Sequence, residues 1–201
     1  MEIPARGYRM AARARAAERT GHDILAATAA LWRERPMDEI TLAAIAKRAG
    51  VSVRTVIRRF GSRDGVIAAC IETDAAGIRT ERDQAPAGDV VAAVDVLLSH
   101  YERDGDAVLR TLVLEDSLPA ARAIVQAGRE AHRAWCSRVF APYLPPSAGD
   151  AHDVRLDAFV AATDLYAWKL LRRDLRRSPE QTRQVMRALV DGIAALSPHR
   201  A

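Results

Sequence analysis

Lysine is almost missing from this chain: Lys47 and Lys169 are its only two, and arginine makes up the rest of the 30 basic residues. Alanine- and arginine-rich usage of this kind is associated with GC-rich bacterial genomes, an association and not a mechanism. Cysteine is as scarce. Cys70 and Cys136 stand alone, which excludes a disulfide framework and any zinc-binding spacing, and suits a reducing cytoplasm. No uncharged apolar run approaches the roughly 18 residues that a membrane span requires. The start of the sequence has no apolar leader, so secretion is not expected, although its Ala/Arg-rich character mimics a transit peptide. There is no phosphate-cradling glycine loop, no histidine paired with carboxylates at metal spacing and no Ser or Cys nucleophile motif. His22, His100, His132, His152 and His199 are scattered. These absences argue against an enzyme, and no cofactor or metal is expected. Nor is there an alternating β pattern of useful length, an internal repeat or a low-complexity tract, so the fold class is all-α.

What is present is unevenly charged. Residues 1–70 carry a net charge of +6 and residues 71–201 one of −2. A basic N-terminal third on a near-neutral body points to a polyanionic partner met by that third. The apolar fraction of 49% over 201 residues suffices for a folded core in one large domain or two small ones.

The N-terminal third reads as short helices. Ile24, Leu25, Thr28, Leu31 and Trp32 recur on one helical face that stops near Pro36. Thr41 is a suitable N-cap for a second helix bearing Leu42, Ile45, Ala46 and Ala49, and Gly50 supplies the left-handed residue that ends it. Ser52 caps a third helix from Val53 to Phe60. Ser62 caps a fourth that turns Val66, Ile67, Cys70 and Ile71 inward. The second and third form a helix-turn-helix, locked by an inner face of Leu42, Ile45, Ala46, Val51, Val56 and Phe60. Val53, Arg54, Thr55, Ile57, Arg58 and Arg59 then point elsewhere. Such a helix fits the major groove of duplex DNA, where arginine grips guanine or phosphate and Thr55 can contact either base or backbone. DNA would supply the negative charge that this crowded basic face lacks.

The stretch "TLAAIAKRAGVSVRTVIRRFGSRDGVI" resembles the DNA-binding signature of TetR-type (tetracycline-repressor-like) transcriptional regulators. Thr41, Ile45, Ala46, Ala49, Gly50, Val51, Ser52, Thr55, Phe60, Ser62 and Asp64 match its pattern. Ile57 stands where the family usually has tyrosine, which removes a phosphate hydrogen bond, and Arg63 replaces the usual lysine. The resemblance implies a DNA-binding domain over residues 1–66, joined through the fourth helix to an effector-binding and dimerisation body over residues 67–201. It also implies a repressor that binds an inverted-repeat operator as a homodimer and is released by a small molecule. Arg54, Thr55, Arg58 and Arg59 would read or hold DNA, with Lys47, Ser52 and Arg63 nearer the phosphates. Ahead of these, Arg6, Arg9, Arg13, Arg15 and Arg19 form a basic arm that could follow a minor groove, add counterion release or stay a solvated tail.

In the body, Val90, Val91, Val94, Leu97, Leu98 and Tyr101 form one stripe, with a separate short helix, "VLRTLVL", expected beyond Gly105. A helix from Leu118 to Ala141 and another from Asp153 to Arg177 follow. The last helix begins at the capping box Ser178-Pro179-Glu180-Gln181. The helix over 153–177 has two apolar sides and must be covered twice. Leu165, Trp168, Leu171 and Leu175, with Met186, Leu189, Val190 and Ile193 of the last helix, are the expected dimer surface. Tyr101, His132, Trp135, Phe140, Thr163 and Tyr166 are aromatic or polar-tipped residues on apolar faces and candidate ligand-pocket residues, core packing being the alternative for each. The competing function is a protein-interaction adaptor that reuses the helix-turn-helix without binding DNA, a reading to which Ile57, in place of the family's tyrosine, lends weight.

Overall fold

The computed structural model describes residues 5–146 and 149–196, without the side chains of residues 5–9 and 11. All regular structure among these residues is helical. The chain divides into two compact units, Met1–Ala75 and Ala76–Ala201.

The first unit holds α1 (Ala5–Glu34), α2 (Leu42–Arg48), α3 (Val53–Phe60) and the first part of α4 (Arg63–Arg82). Ile24, Leu31, Ile40, Ile45, Ala46, Val56 and Val66 make its core, and Leu42, Val51 and Phe60 pack around them, as their spacing requires. Helix α1 is far longer than its apolar stripe. Residues 5–22, expected as an arm, are helical and continuous with the rest of α1. The cause is propensity: "AARARAAER" is built from the strongest helix formers and needs no apolar face to be helical. The arm's Arg13, Arg15 and Arg19 are exposed on this helix, while the side chains of Arg6 and Arg9 lie outside the described residues.

The second unit holds the end of α4 and α5 (Val90–Val113), α6 (Pro119–Val139), α7 (Asp150–Thr163), α8 (Leu165–Lys169) and α9 (Pro179–Ala194), with a π-helical turn over Leu170–Asp174. Its core includes Val94, Leu97, Tyr101, Trp135, Phe140, Phe159, Trp168, Met186 and Val190, and the rings of Phe140 and Phe159 stack with centroids 4.3 Å apart. The capping box that opens α9 is complete. Ser178 Oγ accepts from Gln181 N at 3.1 Å, and Gln181 Oε1 accepts from Ser178 N at 3.0 Å.

Two expectations are corrected. Helix α5 passes straight through Gly105, so "VLRTLVL" is its last part and not a separate helix. The expected helix over 153–177 is broken at Asp164, whose extended backbone (φ −71°, ψ 155°) lets its carboxylate cap α8 by accepting from Tyr166 N at 2.8 Å. The break changes the helical phase. Leu165, Trp168 and Leu171 turn into the core, and Tyr166 and Leu170 turn out.

Candidate functional site

The turn between α2 and α3 is a Schellman arrangement. Gly50 takes φ +66°, Val51 N donates to Ala46 O at 3.0 Å and Gly50 N donates to Lys47 O at 3.4 Å. Thr41 Oγ1 accepts from Ala44 N at 3.1 Å at the start of α2, and Ser52 Oγ accepts from Thr55 N at 3.1 Å at the start of α3. Each cap satisfies an amide that the first helical turn leaves open. With Val56 fully buried beneath it, α3 is fixed at both its turn and its underside.

That anchor sets where the other side chains of α3 point. At about 100° per residue, Arg54 and Arg58 fall opposite Val56, one turn apart. Both are exposed and neither forms an ion pair with a described residue. Val53 and Ile57, 38% and 44% exposed, line one flank. Thr55 and Arg59 line the other, facing α1 across an open groove of about 860 Å³ to which Ala17 and Thr20 contribute. Arg59 leans over the backbone of Gly21, where a Cβ would collide with its guanidinium. Lys47, near the C-terminus of α2, is exposed. Ser52 is exposed too, but its hydroxyl is already shared with Thr55 N and Thr55 Oγ1.

Arg63 is placed differently from its expected position near phosphate. Its Nε donates to Ile40 O at 2.6 Å, an Nη donates to Met37 O, and the other Nη pairs with Asp64 at 3.2 Å. The guanidinium ties the start of α4 to the segment before α2, and its fork is occupied by the chain itself.

Residues 24–70 match the family model described as bacterial regulatory proteins, tetR family. Two solved structures share the fold over most of the chain. A proposed transcriptional regulator from Pseudomonas aeruginosa PAO1 is 20% identical, with 91% of this chain and 94% of that one covered, at a TM-score of 0.65. A transcriptional regulator from Rhodococcus sp. Rha1 is 19% identical, with 88% and 95% covered, at a TM-score of 0.67. Residues 24–70 are thus similar to tetR-family regulatory proteins, and the chain as a whole shares its fold with these two structures. No curated protein matches it.

In the second unit, five of the six expected pocket residues are buried, and Tyr166 is not: its side chain lies outward of the break at Asp164, 56% exposed. Phe140 packs on Phe159, whereas Tyr101, His132 and Trp135, with Thr163 bonded to the first two, converge on a residue that sequence reasoning missed, Arg82 at the end of α4. The polar run "RDQAPAG" disguised Arg82 as part of a loop. It is 8% exposed and donates to His132 Nδ1 at 3.2 Å and to His100 Nδ1 at 3.1 Å. The ring of Trp135 lies 5.5 Å from its Cζ, and Trp135 Nε1 donates to its carbonyl at 3.2 Å. Tyr101 Oη donates to Thr163 O at 3.0 Å, and His132 Nε2 lies 3.2 Å from Thr163 Oγ1.

The electrostatics of this cluster follow from burial. Because both Nδ1 atoms accept from Arg82, both imidazoles are neutral and carry their proton on Nε2. Desolvation, reinforced by the Arg82 charge, lowers His100 and His132 to about 4. Burial pushes the Cys136 thiol up to about 11 and Cys70 up to about 12, which disfavours the reactive thiolate of both.

The expected dimer residues separate into two groups. Leu165, Trp168, Leu171, Met186 and Val190 are buried in the core of their own unit and have no surface to lend. Leu175 and Leu189 are 49% and 47% exposed, and Ile193 is half-buried. Val185, Leu189 and Leu196 make an outer apolar stripe on and just beyond α9, and Tyr166 and Leu170 are exposed around α8.

Proposed function

We propose that this regulator binds an inverted-repeat operator as a homodimer, with α3 in the major groove, and that a small molecule bound in the body releases it. The observation that carries the DNA reading is the pair Arg54 and Arg58. Two guanidinium groups with no ion pair among the described residues project from the face of α3 opposite its anchor, a costly arrangement for a free helix and a productive one against base edges and phosphates. Thr55 and Arg59 on one flank and Val53 and Ile57 on the other bracket that face, the second flank offering apolar contact to thymine methyl groups. Lys47, and Arg13, Arg15 and Arg19 on the extension of α1, add charge for phosphate. The outer stripe Val185, Leu189 and Leu196 supports a second copy, because a soluble chain rarely leaves an ordered apolar stripe uncovered.

Selection of bound sequences from a random duplex pool, followed by gel shift at several salt concentrations, tests this reading. An inverted repeat with half-sites one helical turn or a multiple apart is expected. An adaptor would shift no duplex at any ionic strength.

A further inference from the structure

The interior of the second unit holds a positive charge, that of Arg82, with no ion pair to any described residue. Arg82 is more than nine-tenths buried, yet no described carboxylate lies within 4.0 Å of its guanidinium. Its guanidinium meets two uncharged imidazoles and the uncharged Tyr101 side chain, and its Nε, also buried, has no hydrogen-bond partner among the described residues. Asp104 is separated from it by His100, whose Nε2 stands 3.9 Å from the carboxylate, and Asp104 is already held by Arg103 Nε at 2.8 Å. The C-terminal carbonyls of α4 offset part of the charge, but none of them bonds Nε. Buried ions are paired as a rule, because the desolvation they suffer is recovered only from an opposite charge with well-formed hydrogen bonds.

From this we infer that the body binds a small organic acid, its carboxylate held side-on by Arg82 Nε and a neighbouring Nη and its apolar part set against Trp135 and Tyr101. A guanidinium fork matches a carboxylate with two parallel hydrogen bonds, and a charged acceptor binds it about twice as strongly as a neutral one. An entering carboxylate therefore outcompetes the one imidazole nitrogen that holds that Nη, while the other imidazole keeps its own. The rings of Trp135 and Tyr101, 5.5 and 6.0 Å from Arg82 Cζ, provide the apolar surroundings that exclude water from the new pair. The inference builds on the ligand-responsive reading above but concerns binding alone, so it is tested without DNA.

The experiment uses the full-length protein with matched probes: phenylacetate, indole-3-acetate and octanoate, each beside its neutral amide. Calorimetric titration is expected to give at least one acid a Kd at least tenfold tighter than its amide. Arg82→Met should erase that preference, and Arg82→Lys, which keeps the charge and loses the fork, should weaken it at least tenfold. The parent protein supplies a readout that does not depend on the variants folding: the Arg82 Nε–H resonance, shielded in the free protein, should shift with the acid and stay put with the amide. Equal binding of acids and amides, no binding of any probe, or an unmoved Arg82 resonance overturns the inference. If an acid binds in this way but leaves operator binding unchanged, the site stands and the release by a ligand falls. If no acid binds while the operator is still bound, the acid site falls and the DNA reading stands.

Discussion

Trp168 lies against the backbone of Gly105: a Cβ built on that glycine would come within 2.6 Å of the ring atoms Cη2 and Cζ3. The indole is fully buried, donates from Nε1 to Glu102 at 2.8 Å and lies beneath the Arg173 guanidinium, 4.5 Å from its Cζ. A glycine in mid-helix normally costs about 1 kcal/mol relative to alanine. Here the missing methyl is what lets α5 and α8 approach. Gly105→Ala is thus expected to destabilise by about 1–3 kcal/mol, against the helix-propensity trend. Denaturant melts of Gly105→Ala, Trp168→Phe and the double variant check this, with non-additivity expected because the clash needs both side chains.

Arg63 offers a second departure from motif-based expectation. Because its guanidinium is spent on Ile40 O, Met37 O and Asp64, Arg63→Ala should lower the stability of the first unit by about 1–2 kcal/mol. The salt dependence of DNA binding, measured by gel shift, should not change. A slope reduced by about one with unaltered stability would return Arg63 to the phosphates.

Much of this architecture could be read before any coordinates. The caps Thr41, Ser52 and Ser178, the turn at Gly50 and the apolar period through Ile45, Val56 and Val66 are local, and local signals survive folding. What escaped was of another kind. The helicity of residues 5–22 rests on propensity with no apolar face to announce it. The break at Asp164 hid inside an unbroken apolar period, although an aspartate preceding "LYAWK" was available as an N-cap signal. Arg82 escaped because burial of a charge depends on elements distant in sequence: His100, His132 and Trp135 are 18, 50 and 53 residues away.

The DNA assignment predicts different behaviour for two cations. Arg58 projects from the face opposite Val56, so Arg58→Ala should weaken operator binding by about 1–3 kcal/mol and relax base preference at one position per half-site. Lys47, near the end of α2, is placed for backbone contact, so Lys47→Ala should weaken all sequences alike and reduce the salt slope by about one. Competition gel shifts with single-base operator variants distinguish the two. If both substitutions leave every duplex bound as tightly as the parent does, α3 is not the reading helix.

The buried imidazoles make stability depend on pH in a defined window. Both are lowered to about 4 in the fold against an ordinary value near 6.5, so the unfolded chain binds more protons between those limits. Their contribution is complete above about pH 6.5 and is lost as pH falls towards 4. Each histidine steepens the decline by up to about 1.4 kcal/mol per pH unit. The carboxylates lowered by arginine partners, Glu81, Glu102 and Asp106, lose their contributions from below their own ordinary range, which separates the two effects. Urea midpoints at pH 7.5, 6.0 and 5.0 should fall for the parent and fall less steeply for His132→Gln.

The division of the apolar residues of α9 into an inner and an outer set yields the last prediction. Thr182, Met186 and Val190 face inward and are fully buried, while Val185 and Leu189 lie on the outer side with Leu196 beyond. A charge placed on the inner side removes core packing and buries an unpaired ion, so Met186→Glu should fail to fold. Leu189→Glu loses little intrachain contact and should melt like a folded chain. If the outer stripe joins two copies, however, each symmetric interface receives the new charge twice, and the variant should sediment as a monomer. Its affinity for an inverted repeat should then drop towards that of a single half-site, because the two recognition helices are no longer held together. A Leu189→Glu protein that still sediments as a dimer would move the interface to another surface.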